Sequence, residues 1–382
     1  MAVLGIDLET YSSTQLKGAG VYRYVEDPDF EVLLFAYAFD DGPVKVIDIK
    51  QGERLPAEVM EALTDPNVTK SAFNANFERI TINRHFGIPT PPEQWSCTMV
   101  HSLMLGLPGS LEGVGKALKL DVQKDAAGKR LIQYFSVPCK PTKANGGRIR
   151  NLPEHDPEKW AAFIEYCRRD VEVEREIRKR LAKYPIPERE HRLWCLDQRI
   201  NDRGFLVDLD LAEKAVAADR EHREQLIREA VTLTGIENPN SVTQLKAWLE
   251  SKEGVKVDSL NKKSLPKLMD EVSETGRRLL AIRQELGKSS VKKYEAIQRA
   301  VCKDHRVRGL FQFYGARTGR WAGRLVQVQN LPGTKLPDLE LARKLLKEGR
   351  FEDIDMLFGS IQEVLSQLIR TEIGRASCRE RV

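Results

Sequence analysis

Hydrophobic positions recur along the chain with two different periods, and the switch between them divides it. Val3–Ile6 is a short continuous apolar run, the pattern of a buried strand. Glu31–Phe39 (EVLLFAYAF) and Val44–Ile49 predict two more strands, joined by an Asp-Asp-Gly-Pro turn at 40–43. Helical spacing is predicted for Ala57–Leu63, Phe77–His85, Leu111–Leu118 and Ala126–Phe135. In the long helix predicted over Glu158–Leu181, Trp160, Phe163, Ile164, Cys167, Val171 and Ile177 fall on one face. Pro185 and Pro187 cannot continue it and mark a domain boundary.

From 188 to 300 strands become few and charged helical segments dominate. Leu209–Leu233 and Ser264–Arg299 are predicted as long helices. Glu237–Ser241 reads as a turn before a short amphipathic helix at Gln244–Leu249. Leu310–Tyr314 and Leu325–Leu331 are short and β-like, around a Gly/Arg-rich stretch. Leu339–Arg370 returns to helical spacing, and no internal repeat is present. The expected organisation is an α/β domain over 1–186, a helical region over 187–305, a further region over 306–372 and a tail over 373–382. That tail has no amphipathic period. It resembles vector or assembly-junction sequence and is expected to be non-native.

Composition adds little except in its charge. The 382 residues are 41% hydrophobic and 31% charged. No run approaches the roughly 20 apolar residues of a membrane span. The start, MAVLGIDLET, has neither the basic region nor the cleavage site of a secretory signal. Cys97, Cys139, Cys167, Cys195, Cys302 and Cys378 are scattered singly, which argues against structural zinc and for reduced thiols in the cytoplasm. The net charge is +5, but residues 277–324 hold thirteen Lys/Arg against three acids. Such a block suggests a polyanion partner; a solvated basic face would give the same count.

Asp7-Leu8-Glu9 closes the first strand. Residues i and i+2 of an extended segment share a face, so the two carboxylates stand side by side. Asn74-Ala75-Asn76-Phe77-Glu78 opens a helix after a strand. Tyr166 and Asp170, four apart on the long helix, share another face. Oxygen-rich sets of this kind suit Mg²⁺ or Mn²⁺. Two such ions about 3.5–4 Å apart can cleave a phosphodiester by in-line attack, with a tyrosine hydroxyl orienting the water.

In this order, IDLET, AFNANFER and YCRRDVE resemble the three exonuclease motifs of the DEDD superfamily, Tyr subtype. The resemblance implies a ribonuclease-H-like fold and removal of nucleotides from 3′ ends with two metal ions. By motif position, Asp7 would touch both metals, Glu9 and Asp170 would complete the tighter site, and Tyr166 would position the water. Asn74 and Phe77 would support the terminal nucleotides. The family commonly has Asp where this chain has Glu78, whose extra methylene allows a water-mediated metal contact.

Downstream, Asp197–Leu209 (DQRINDRGFLVDL) and Asn240–Leu249 (NSVTQLKAWL) resemble the thumb of family A DNA polymerases. Gln312–Pro332 (QFYGARTGRWAGRLVQVQNLP) resembles that family's T-G-R segment leading to Q-N-hydrophobic-P. Glycines 315, 319 and 323 would allow close backbone approach to nucleic acid. Arg317, Thr318, Arg320 and Arg324 would contact phosphate or the minor groove, and Gln329 and Asn330 base or sugar edges; Lys292 and Lys293 join them from the basic block. The resemblance is strongest to phage enzymes and covers roughly residues 1–372. It implies an exonuclease domain at 1–186, a mostly helical thumb-like region at 187–305 and the start of a polymerase palm at 306–372. The palm and finger motifs that would follow are not found, so this chain alone is expected not to polymerise. The expected partners are a single-stranded DNA 3′ end and a primer–template duplex, with the protein a monomer and no membrane involved. A DNA-binding chain with an inactive nuclease, or an RNA-trimming relative, stays open as an alternative. Gly109–Lys116 (GSLEGVGK) lacks the glycine and Ser/Thr of a phosphate loop and is expected to open a helix. Cys97 is expected to be a packed thiol.

Overall fold

The computed structural model describes residues 2–120, 128–261, 264–288 and 291–373. The chain forms two compact α/β and helical units, Met1–Phe205 with Ala300–Gln327, and Leu206–Arg299 with Val328–Val382.

The first unit is built on a mixed five-stranded sheet. Its strands are β1 (Val3–Tyr11), β2 (Glu31–Phe39), β3 (Lys45–Asp48), β4 (Thr69–Ala72) and β5 (Trp95–Cys97), in the order β3-β2-β1-β4-β5. β1–β2 and β2–β3 are antiparallel; β1–β4 and β4–β5 are parallel. β2 is buried on both faces along its interior, as its unbroken apolar run requires. The helices are α1 (Leu16–Val25), α2 (Ala57–Thr64), α3 (Ala75–Phe86), α4 (Thr98–Met104), α5 (Leu111–Ala117), α6 (Gly128–Phe135), α7 (Pro157–Leu181) and α8 (Glu188–Arg203). α7 starts where the Asp156 carboxylate accepts from the Lys159 amide, with Pro157 at the first helical position. It packs over β1 and β2 through Phe163, Cys167 and Val171, while Ile6, Leu8, Val59, Ile82 and Trp95 fill the other core. Pro185 and Pro187 separate α7 from α8 inside this same unit.

β1 runs five residues past the predicted Ile6, because the two acids that interrupt its apolar pattern still alternate with buried Leu8. β3 ends before Ile49, where Asp48 accepts from Gln51 N and starts a 3₁₀ turn. Residues 126 and 127, the start of a predicted helix, lie outside the described residues; α6 begins at Gly128. α1, β5 and α4 have no counterpart in the sequence reading.

The second unit is helical: α9 (Leu209–Thr234), α10 (Val242–Trp248), α11 (Leu265–Glu271), α12 (Glu274–Leu286), α13 (Lys292–Ala300), α14 (Leu339–Lys347), α15 (Phe351–Phe358) and α16 (Ile361–Leu368). The single helix predicted over Ser264–Arg299 is three helices. Ser273 caps α12 by accepting from Gly276 N, and Arg223 holds the carbonyls of Leu286 and Lys288 at its other end. Leu339–Arg370 is likewise broken, at Gly349 and Gly359, both with positive φ. Leu325–Leu331 is not β. Leu325 and Gln327 have φ of 51° and 53°, and Val328–Asn330 is a 3₁₀ turn. The strand lies earlier, at Ala322–Gly323, paired with Phe311–Gln312. Ile373 forms a bridge with Val207, and the rest of the expected tail lies outside the described residues. Among the described residues no helix is long and apolar enough to cross a membrane.

Candidate active site

β1, α3 and α7 deliver the acidic residues to one place. Along β1, Gly5, Asp7 and Glu9 share the face beneath α7, as strand alternation dictates. A Cβ on Gly5 would lie 3.7 Å from Val171, and Cys167 Sγ lies 3.6 Å from Asp7 Oδ2. The pairing with β2 shifts register between Glu9 and Thr10. α7 presents Tyr166 and Asp170 one turn apart, and α3 presents Glu78 in its first turn. Asn74, just before α3, has φ 116° and ψ 52°, a conformation that non-glycine residues rarely adopt and one that stores strain. Asp7, Glu9, Asn74, Phe77, Glu78, Tyr166 and Asp170 all line one cavity of about 750 Å³.

The electrostatics of this cavity are one-sided. Its lining carries four carboxylates, and Lys17 is its only Lys or Arg among the described residues. Burial, then the charge of Asp7, pushes the Glu78 carboxyl well above the usual range, and its Oε2 has no hydrogen-bond partner. Burial and then Asp170 raise the Tyr166 hydroxyl, so it stays protonated and can hold a water without acting as a base. The Asp7 and Glu9 carboxylates and the Cys167 sulfur lie within 4.8 Å of one another. Burial, with Asp7 next, raises the Cys167 thiol, which therefore stays protonated and directs its proton at Asp7. The ligands that remain are all oxygens. That all-oxygen donor set, with the unmatched Glu78 oxygen, fits a hard divalent cation better than zinc. Asp7, Glu9, Asp170 and Glu78 could hold it.

The other candidate residues lie elsewhere. Arg317, Thr318, Arg320 and Arg324 are exposed on the first unit's loop between Phe311–Gln312 and Leu325. Arg324 borders a separate cavity of about 480 Å³ that also touches Asn74 and Trp194. Lys292, Lys293, Gln329 and Asn330 belong to the second unit, where Lys293 Nζ donates to Asn330 O at 3.1 Å. None of these eight lines the acidic cavity. The absent side chain of Gly315 is used by the loop itself, since a Cβ there would collide with Ala322. Gly109–Lys116 opens α5, where Ser110 Oγ accepts from Gly113 N. Cys97 is packed, 4% exposed, with its thiol raised to about 11 by burial.

Two residues near the cavity escaped the sequence reading. Glu174, 3% exposed, lies one turn beyond Asp170. It accepts from Ser71 Oγ at 2.7 Å and from Thr98 Oγ1, tying α7 to β4 and α4. The four-residue spacing of Tyr166, Asp170 and Glu174 could have revealed it. Gly128 lies against the Tyr166 ring so closely that a Cβ would fall within it. No local sequence signal announces that contact.

No family model matches the chain. Over 373 residues it is 60% identical to a curated protein described as "DNA polymerase" from Bacillus phage SP02; the match takes in 97% of this chain and 57% of that protein. The chain thus spans little more than half the length of that relative. Among solved structures it is similar to the POL domain of Pol1 from M. smegmatis, described in complex with DNA primer-template and dNTP. The TM-score is 0.50 and the identity 14%, over 86% of this chain and 53% of that one, which is a likeness of fold. A structure described as the apo form of a nuclease aligns with a TM-score of only 0.27 at 19% identity, over 47% of this chain and 72% of that one, and carries no argument.

Proposed function

We propose that this chain, a relative of the phage DNA polymerases that carries family A motifs, holds a 3′→5′ exonuclease in its first unit. The observation that carries the proposal is the convergence of Asp7, Glu9, Glu78, Asp170 and Tyr166, from three separate segments, in one oxygen-lined cavity. The mixed sheet with α7 across it supports a ribonuclease-H-like reading of residues 1–186. Two Mg²⁺ or Mn²⁺ ions, when bound, supply Lewis-acid stabilisation of the phosphate and lower the pKa of water. Asp7 would serve both ions, Glu9 and Asp170 would complete the tighter site, and Glu78 would reach a metal through a water. Tyr166 holds the attacking water by its protonated hydroxyl. Asn74 and Phe77 hold the terminal nucleotide. The substrate is a DNA 3′ end, and the role is proofreading during replication in the cytoplasm of a phage-infected cell, by a monomer.

The same proposal assigns 187–305 to a thumb and 306–372 to the start of a palm of a polymerase active in the longer protein. Lys292, Lys293, Arg317, Thr318, Arg320, Arg324, Gln329 and Asn330 then face the primer–template duplex. Their supports are the T-G-R segment and the exposure of its arginines.

Degradation of a 3′-labelled single strand tests the exonuclease. It should require Mg²⁺ or Mn²⁺ and stop in EDTA. Asp7→Ala removes a ligand shared by both ions and should lower the rate by about a thousandfold or more, roughly 4 kcal/mol. Tyr166→Phe should lower kcat while leaving the DNA affinity measured in Ca²⁺ unchanged. Full activity in EDTA, or in the Asp7→Ala protein, would sink the assignment.

A further inference from the structure

The rim of the acidic cavity continues into a segment of opposite charge. Ser136, Val137 and Pro138 line the cavity. Between Phe135 and Glu154 the sequence has no Asp or Glu, while Lys140, Lys143, Arg148 and Arg150 all fall there. The chain does not trail away as a loose loop. Cys139 N donates to Ile149 O at 2.8 Å, closing a ring of backbone. Asn145 fills that ring: its amide nitrogen donates to the carbonyls of Lys140 and Arg148, and its oxygen accepts from the amides of Thr142 and Gly147. At the far end Arg150 is anchored by an ion pair with Glu31 and by stacking over the Tyr11 ring, 3.6 Å from its centroid. Asn151 donates to Tyr134 O on α6.

This hydrogen-bonded loop leaves its two lysines to solvent. Lys140 and Lys143 are exposed, and among the described residues no carboxylate pairs with Lys140, Lys143 or Arg148. Ile149 is 64% exposed between two arginines. Lys140 is two residues from Pro138, so its Cα lies within about 7 Å of the cavity rim. Two exposed ammonium groups on a hydrogen-bonded loop that starts at the rim of a carboxylate-lined pocket match the phosphates of a single strand.

We propose that the 139–149 loop is a docking strap for single-stranded DNA, binding the phosphates of the strand upstream of the nucleotide held in the cavity. The inference rests on the exonuclease reading of that cavity. The strap would add cationic contacts outside the cavity, whose lining has Lys17 as its one Lys or Arg among the described residues.

The test compares the wild-type protein with a Lys140→Ala/Lys143→Ala double variant. Affinity for a 20-nucleotide single strand is measured in Ca²⁺ over a range of salt. Each phosphate contact on a single strand contributes about −0.7 to the log–log slope, so losing two should make it shallower by about 1.4. That is about a twenty-five-fold loss of affinity at 0.1 M salt if binding at 1 M is unchanged. In Mg²⁺ the ratio of kcat/KM on the 20-mer to that on a dinucleotide should fall by a similar factor. An unchanged slope overturns the strap, whether the loop is bare or serves an acidic protein instead. An equal loss on both substrates also overturns it, since a strap cannot act on a strand too short to reach it. If the wild-type protein hydrolyses neither substrate, the exonuclease reading fails, while the Ca²⁺ binding slope still decides whether the loop holds single strands. Retained circular dichroism shows that the variant is folded.

Discussion

Gly128 carries no side chain where the Tyr166 ring already occupies the position of a Cβ. Tyr166 is otherwise held by stacking on Phe163, with ring planes 10° apart, and Phe163 stacks in turn on Phe135 of α6. A methyl group at 128 must push the ring along that column or lift the first turn of α6. Overpacking of this kind costs about 1–3 kcal/mol. If Tyr166 positions the attacking water, a displacement of even 1 Å matters more to rate than to fold. Gly128→Ala should lower exonuclease kcat by about ten- to a hundredfold and leave single-strand affinity within about twofold, because no DNA-contacting group is lost. The check is a double-mutant cycle with Tyr166→Phe. If both act through the same hydroxyl, the double variant is scarcely slower than Tyr166→Phe alone. Simple multiplication of the two effects would show that Gly128 acts by another route.

β4 contains a buried cation that makes its stability depend on pH. Lys70 is fully buried, and its ammonium donates to Asp65 O at 2.7 Å and Gln94 Oε1 at 2.9 Å, both neutral acceptors. Burial pulls its pKa down to about 8, against an unfolded value near 10.4. Between those values the unfolded chain binds more protons than the native one, so stability rises with pH across the window. Below about 8 both states are protonated and the gain is absent. The full difference is about 3 kcal/mol. Urea unfolding at pH 7.5 and 10 should show a stability rise that Lys70→Met lacks, and equal rises in both proteins would remove Lys70 as the cause. Elements like β2 were legible in the sequence because nine residues carry their own signal. The shared faces of Asp7 with Glu9 and of Tyr166 with Asp170 followed from local periods of two and four, whereas Glu78 was singled out by the motif resemblance. Lys70 in a strand, Gly20 with a positive φ inside α1 and the break at Ser273 were not. Local and distant groups combine there: Lys70 is held by nearby Asp65 O and by Gln94, 24 residues away, Ser273 caps Gly276 N while bonded to Glu253, 20 residues back, and Gly20 kinks α1. Glu174 lies between the two cases, on a visible helical stripe whose partners Ser71 and Thr98 are distant in sequence.

The basic block of residues 277–324 looks continuous in sequence, but the fold divides it. Arg277 to Arg299 belong to one compact unit and Lys303 to Arg324 to the other. Part of its charge is already spent: Arg278 makes a two-pronged pair with Glu229, and Arg308 another with Asp304. A raw count of thirteen cations therefore overstates what a polyanion meets. The exposed cations that remain are Arg277, Lys292 and Arg299 in one unit and Lys303, Arg317, Arg320 and Arg324 in the other. If a duplex engages both units at once, each set contributes its own counterion release, at about −0.9 of log–log slope per phosphate. Lys292→Ala with Lys293→Ala, and separately Arg317→Ala with Arg320→Ala, should each make the slope for duplex binding shallower by up to about 1.8. The four-fold variant should lose the sum if the two sets act independently. The measurement is duplex affinity by fluorescence anisotropy between 50 and 300 mM salt, conditions chosen for a readable slope. A slope that moves with only one pair assigns the duplex to that unit alone. A slope that moves with neither makes the block a solvated face, and the duplex contacts proposed for both units fall with it.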